Sequence, residues 1–314
     1  MTRQTDLIII GGGLSGLAAA YELEQHGMGY TLIEVKPRLG GSIITRQTNG
    51  FVMDGGVFAF SRPVAWPTLD ALGLSDALIP IQRDNLPGRS AFRQGTQALT
   101  DALAARLTGT IIRQMAVTSI GPQPNGNGYQ ICLENGLALE ARGVIIAAAA
   151  RYAERMLRSL APGVAALLEN YHYDSIMQLA LGYTARNRPE NPPHATPEML
   201  FAGLHSTDAP ERVPPGGLLI QAAVRTPQLS QPDRLIELLT EQMGWGTPDV
   251  TFALSWTEAA PLSIGGPSGP LHAANQQLPA SVQLVGNCYR QMPFAQRTEH
   301  ARQVARGVLA AVAG

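Results

Sequence analysis

Residues 6–35 leave this chain few folds to choose from. Residues 6–10 form a short apolar run of strand type, and Gly11-Gly12-Gly13-Leu14-Ser15-Gly16 fits G-x-G-x-x-G. Residues 14–27 read as a helix and residues 30–35 as a second strand. In that setting Gly11 permits the tight turn, Gly13 lets a pyrophosphate approach the backbone, and Gly16 lets helix and strand pack closely. The helix N-terminus offers unpaired N–H groups and a positive dipole end to phosphates. Glu34 falls 34 − 16 = 18 residues past the last glycine, where an acid accepts from a ribose hydroxyl. The pattern predicts an α/β dinucleotide-binding unit.

Charge and cysteine usage exclude several other classes. A length of 314 residues suits about two domains, and a net charge of −1 draws in neither nucleic acid nor an anionic membrane. Cys132 and Cys288 make neither a disulfide framework nor a zinc spacing and suit a reducing, cytoplasmic setting. The six histidines show no metal spacing, so no metal is expected. No signal-peptide pattern is read at the N-terminus. The most continuous apolar stretch, 143–150, is strand-sized and far short of a transmembrane span. Lys36 is the only lysine.

Further along, the spacing predicts a short strand and turn at 51–56, a helix at 67–72 and irregular chain at 81–93. An amphipathic helix is predicted at 96–107, with Leu99, Leu103 and Leu107 four apart. Strands follow at 111–113, 116–120, 129–134, 137–141 and 144–149, with Asn135-Gly136 suited to a two-residue hairpin. After two short helices come strands at 175–183 and 217–224, separated by a loop or flap at 186–215. A helix at 233–243, strands at 250–256 and 282–285, and a closing helix to Ala313 complete the reading.

More motifs recur in order: Arg38-Leu39-Gly40-Gly41-Ser42, Gly50-Phe51, Asp54-Gly55-Gly56, and Gly95-Thr96-Gln97-Ala98-Leu99. Leu160-Ala161-Pro162, Tyr173-Asp174-Ser175, Trp256 with Ala259 and Pro261, and Gly286-Asn287 with Arg290 follow. Together with Gly11–Gly16 and Glu34 they resemble the flavin-containing amine oxidase superfamily, and within it the protoporphyrinogen-oxidase-like branch. The resemblance implies FAD as cofactor and a Rossmann-like FAD-binding domain of the two-dinucleotide-binding-domain flavoprotein type. That domain would comprise residues 1–57, 96–168 and 282–314, beside a small α+β substrate domain of 58–95 and 169–281. It implies cofactor contacts from Gly11, Gly13, Leu14, Ser15, Gly16, Glu34 and Val35, and from Arg38, Gly40, Gly41 and Ser42 of a second glycine loop. Gly55, Gly56 and Val57 would join them, with Val117 against the adenine and Trp256 walling the flavin. Gly286, Asn287, Phe294 and Ala295 would meet the flavin end. An arginine at position 38 is a fixed fork of donors suited to pyrophosphate. The closing helix would aim its N-terminus at the pyrimidine edge and favour the negative charge gained on reduction. Trp256, Tyr289 and Arg290 are the candidate catalytic residues.

The resemblance breaks at two places. A long helical region usual between the strand near Asp54 and the helix at Thr96 is reduced to residues 57–95, so the substrate part should be small and the flavin open. Gln291-Met292-Pro293-Phe294-Ala295 stands where a glycine and valine run is preferred, and His300-Ala301 replaces a serine–glycine pair. Arg297 and His300 are three apart and share a helix face, and Cys288 reads as a small core thiol. Lys36, two residues past Glu34, lies at the adenosine end, out of reach of the place where amine-oxidising relatives use a lysine. The expected protein is an FAD-dependent oxidoreductase that takes hydride from an apolar, tetrapyrrole-like or natural-product small molecule and passes electrons to oxygen or another acceptor. Three alternatives stay open: renalase-like oxidation of NAD(P)H, a flavoprotein subunit or homodimer whose partner covers the site, and a copy that keeps FAD structurally.

Overall fold

The structure is a computed structural model that describes residues 3–81, 88–124, 126–171, 173–190, 199–201, 209–225, 231–259, 274–289 and 292–313. The chain opens with β1 (Arg3–Ile10), α1 (Leu14–Gln25) and β2 (Tyr30–Glu34). A hairpin of β3 (Thr45–Thr48) and β4 (Phe51–Asp54) follows. A small lobe then contains β5 (Phe60–Ser61), α2 (Pro67–Ala71), β6 (Leu78–Pro80) and β7 (Arg89–Phe92). Next come α3 (Gln97–Ala104), β8 (Thr110–Arg113), β9 (Val117–Pro122), β10 (Tyr129–Leu133) and β11 (Ala138–Ile146), then α4 (Ala150–Leu157) and α5 (Pro162–Glu169). The second half holds β12 (Asp174–Tyr183), β13 (Met199–Phe201), β14 (Leu218–Arg225), α6 (Pro232–Met243), β15 (Val250–Ala259), β16 (Val282–Leu284) and the closing helix α7 (Phe294–Ala313).

The main sheet runs β8-β2-β1-β11-β10-β9, with β16 also paired to β11. β1 lies between β2 and β11, parallel to both. Alternation along β1 builds two cores at once. Leu7 and Ile9 join Leu17, Ala301, Ala305 and Val308 on the face covered by α1 and α7. Ile8 and Ile10 join Ala153, Leu157 and Val164 on the face covered by α4 and α5. A parallel strand buried on both faces is why 6–10 reads as a continuous apolar run.

The second sheet, β13-β14-β12-β15, is antiparallel. Met177, Leu179, Leu181 and Tyr183 of β12 pack with Ile236 and Leu239 of α6. On the opposite face Ala180 packs with Phe51 and Met53 of β4. A Cβ on Gly182 would lie 3.0 Å from the Phe51 ring, so glycine there lets the sheet settle onto the hairpin.

The chain departs from its sequence reading at particular points. Residues 137–141 and 144–149, read as two strands, are one strand to Ile146; at Gly143 it exchanges its antiparallel neighbour β10 for the parallel β16. A Cβ on Gly143 would meet Ser281 O at 3.0 Å, so glycine admits that neighbour. Part of 81–93, read as irregular, is strand β7, and the stretch 186–215 contains β13 and a helical turn at Pro210–Arg212. Helices α1 and α3 end two and three residues before their apolar periodicity does.

α1 and α7 are joined by a buried carboxylate. Glu22 accepts from Arg302 Nε (2.5 Å) and Arg306 Nη1 (2.8 Å). Burial alone would raise its pKa, but the two arginines outweigh that and hold it below the ordinary 4.5. A depressed carboxyl pKa stabilises the fold above the unfolded value, and that contribution is lost as pH falls through the folded value. Glu22→Gln is expected to cost about 2 kcal/mol at neutral pH. Urea unfolding should show the gap between the two proteins narrowing below about pH 4.5; a gap constant with pH would contradict this role. Among the described residues no helix is long and apolar enough to cross a membrane.

Candidate functional site

The two glycine loops meet at the N-terminus of α1. Gly11 sits at φ +106, where a Cβ would press on Ala147 O at 2.8 Å. Gly40 N donates to Gly12 O (2.8 Å), and Gly13 and Gly40 form a parallel bridge. A Cβ on Gly41 would lie 2.9 Å from Gly13 Cα, so the second loop closes on the first only as glycine. A Cβ on Gly16 would lie 1.8 Å from Gly11 O, which sets the helix tight against the turn. α1 has no side-chain cap and no acid in its first turn, so among the described residues no side chain takes up its leading N–H groups.

Beneath these loops lies Glu34, 6% exposed. It accepts from Gly12 N (2.6 Å) through Oε2 and from Lys36 N (2.8 Å) through Oε1. Each carboxylate oxygen keeps a second lone pair for a hydroxyl donor. Arg38 is turned inward: Nη1 donates to Leu39 O (2.8 Å) and Ile43 O (3.2 Å), and Nη2 to Gly41 O (2.5 Å). Burial pushes the Arg38 guanidinium down, partly offset by Glu34 and Asp101. Arg38 thus braces the second loop from within, because three carbonyls of the tight turn would otherwise lack donors. Met115 N bonds Glu34 O (3.2 Å), which brings the approach to Val117 beside the end of β2. Val35 is well exposed at the same end. The donor set fits an adenosine diphosphate: an open helix end and glycine backbone for the diphosphate, and a buried carboxylate for the ribose.

At the other end a Cβ on Gly286 would approach Ser15 Oγ at 4.0 Å, so the Gly286-Asn287 loop lies over the start of α1. Phe294 and Ala295 open α7 but are buried; the Phe294 ring packs on Phe60 (5.1 Å) and Trp66 (6.2 Å). Arg297, one turn on, donates from Nε to Met292 O (3.3 Å) and lies over Phe294 (5.8 Å). Burial brings Arg297 down to about 10, so it stays charged at neutral pH.

The turn after β4 is anchored by Asp54. Its Oδ1 accepts from Thr45 Oγ1 (2.5 Å) and Thr96 N (2.9 Å), and its Oδ2 from Thr96 Oγ1 (3.1 Å) and Arg212 Nη2 (2.7 Å). Thr96 Oγ1 also reaches Val57 O (2.6 Å). Gly56 abuts Ser42 O, and Trp256 Nε1 donates to Gly55 O (2.8 Å), so the second glycine loop and the second sheet converge on Gly55-Gly56.

One expectation for an individual side chain is corrected. Tyr289, expected at the substrate face, is 3% exposed, donates to Ala148 O (2.6 Å) and belongs to the core beneath α4 and α5. Burial raises its pKa well above 10, so it packs as a neutral phenol. Lys36 places Nζ 5.4 Å from the Trp256 ring, a cation–π distance reached by its flexible four-carbon stem. Arg290 lies outside the described residues. Sequence reasoning missed Arg212 and Gln221, which reach Asp54 from 158 and 167 positions away; no local pattern marks such contacts. Among the described residues no cluster could hold a metal ion.

Comparison with known proteins places this geometry. Residues 9–72 match the model of an NAD(P)-binding Rossmann-like domain, and residues 76–244, more than half of the chain, match that of the flavin containing amine oxidoreductases. Coproporphyrinogen III oxidase of Propionibacterium freudenreichii subsp. freudenreichii is 36% identical over 75 residues, 23% of this chain and 14% of that protein. Chloroplastic protoporphyrinogen oxidase 1 of Arabidopsis thaliana is 40% identical over 84 residues, 25% of this chain and 16% of that protein. These matches therefore span under a fifth of the relatives' own length. The provisionally named protoporphyrinogen oxidase of Exiguobacterium sp. 255-15 superposes with a TM-score of 0.81 at 13% identity, over 98% of this chain and 99% of that one. A redesigned putrescine oxidase gives 0.67 at 12% identity, over 99% and 100%. At such identities the two structures show the shared fold.

Proposed function

The chain belongs to the flavin containing amine oxidoreductase family and is an FAD protein; from that premise we propose that it oxidises an apolar or tetrapyrrole-like small molecule and passes the electrons to oxygen or another acceptor. The observation that carries this reading is the meeting of two glycine loops over a buried Glu34 at the bare N-terminus of α1. Bound FAD supplies the hydride acceptor; the chain supplies binding, orientation and exclusion of water.

In this reading residues 1–57, 96–168 and 282–314 hold FAD, and residues 58–95 with 169–281 shape the substrate side. Gly11, Gly13, Leu14, Ser15 and Gly16 present backbone to the diphosphate, with Gly40, Gly41 and Ser42 closing from the second loop. Glu34 accepts from the ribose, and Arg38 keeps the second loop in shape. Gly55, Gly56, Val57, Trp256, Gly286 and Asn287 frame the flavin end. Trp256 is oriented there by its bond to Gly55 O. Across the sheet Trp256 pairs with Ile176 of β12, an apolar neighbour at that end. The names of the sequence relatives support a porphyrinogen as the first substrate to try.

The test is anaerobic reduction of FAD-loaded protein by coproporphyrinogen III or protoporphyrinogen IX, followed at the visible flavin band. Bleaching on mixing and return of colour in air are expected. A band unmoved by either porphyrinogen but bleached by NADPH would replace this reading with the nicotinamide one.

A further inference from the structure

Two buried polar atoms beside the Gly55-Gly56 turn have no hydrogen-bond partner among the described residues: Arg212 Nε and Gln221 Oε1. Arg212 is 1% exposed, and Gln221 is fully buried. The Arg212 guanidinium straddles the turn: Nη2 donates to Asp54 Oδ2 (2.7 Å) and Val52 O (2.9 Å), and Nη1 to Phe58 O (3.3 Å). Gln221 donates from Nε2 to Asp54 O (2.9 Å). Arg212 thus leaves its Nε–H open and Gln221 its Oε1, and both side chains are fastened to Asp54. Native interiors rarely leave such atoms bare.

We propose that Arg212 and Gln221 hold one buried water between Nε–H and Oε1 and, through Asp54, act as positioning residues for the Gly55-Gly56 turn and Trp256. A water can accept from Arg212 and donate to Gln221, and buried waters occupy sites with two to four polar partners. A cation does not suit the site, because Arg212 already brings a positive charge. An anion does not either, because Asp54 neutralises that charge. The row containing Gln221 is otherwise Ala180 and Phe252, so the sheet offers the amide oxygen no donor of its own. The link onward is short: Asp54 precedes Gly55, whose N–H bonds Ile44 O (2.8 Å) and whose carbonyl receives Trp256 Nε1 (2.8 Å). The positioning half rests on the flavin reading above; the water does not.

Two measurements test it. A crystal structure of the purified protein, at a resolution that shows waters, should reveal a peak about 2.7–3.1 Å from both Arg212 Nε and Gln221 Oε1. No peak there, or a direct protein partner for either atom, overturns the water site, whether or not FAD is bound. Gln221→Leu leaves the Asp54–Arg212 pair in place and removes only the amide. Its dissociation constant for FAD should rise by about tenfold, the scale of one lost hydrogen bond, with a shifted flavin spectrum. In a Trp256→Phe background the same change should add little to either readout, because both act on one wall. Additive effects, or an unchanged spectrum in Gln221→Leu, overturn the positioning role. A parent protein that takes up no FAD would refute the flavin reading instead, and the water peak would still decide the site.

Discussion

Gly13→Asp is expected to give a protein that folds normally and stays colourless. The position tolerates a side chain: its backbone is at φ −76 and ψ −177, and an added Cβ meets only Gly41 Cα, at 3.7 Å. Aspartate is moreover a favourable residue at a helix N-cap, so the thermal midpoint should hold or rise. The cost falls on the ligand. A carboxylate about 4 Å from a phosphate, at an effective dielectric of about 20, opposes binding by about 4 kcal/mol. That corresponds to about a thousandfold in affinity. Gly16→Ala forms the contrast. Its Cβ, fixed by the helix, would lie 1.8 Å from the backbone oxygen of Gly11, so this smaller change should abolish soluble protein rather than colour alone. Thermal melting with visible absorbance separates the two cases. A yellow Gly13→Asp protein with one flavin per chain would remove the loop from the site.

Asp54→Ala should be the most destabilising substitution outside the glycine loops. Both members of the Asp54–Arg212 pair are 1% exposed, and the same carboxylate satisfies Thr45 and Thr96. Removing one partner of a buried pair strands the other charge, at about 3–5 kcal/mol. Replacing both, as Asp54→Leu with Arg212→Met, should cost less than Asp54→Ala alone, because no charge is then left unpaired. Chemical denaturation of the three proteins decides the matter. A double variant as unstable as the sum of its single changes would show that the pair is not the source of the effect.

The parts of this protein that could be read from its sequence are those set by neighbours along the chain. The first dinucleotide half was legible because turn, helix and strand are contiguous and each glycine answers a local steric demand, as Gly11 and Gly16 show. The second glycine loop was legible as a motif, but the inward turn of Arg38 was not, because spacing does not say which acceptors a guanidinium will find. Tyr289 looked available for chemistry because it follows Gly286-Asn287, yet the tertiary path drives it under α4 and α5. Lys36 and Trp256 meet although 220 positions separate them, a contact no periodicity encodes. The short strands of the small lobe escaped notice for a related reason. β5 has two residues and β6 three, too few to establish alternation.

The first measurement to make is equilibrium dialysis of the unaltered protein against FAD, FMN and NADPH in separate chambers. The geometry predicts one FAD per chain and no retained FMN, because the glycine loops, the α1 N-terminus and Glu34 address the adenosine diphosphate half that FMN lacks. Retention of FMN, or of NADPH with FAD excluded, would contradict it.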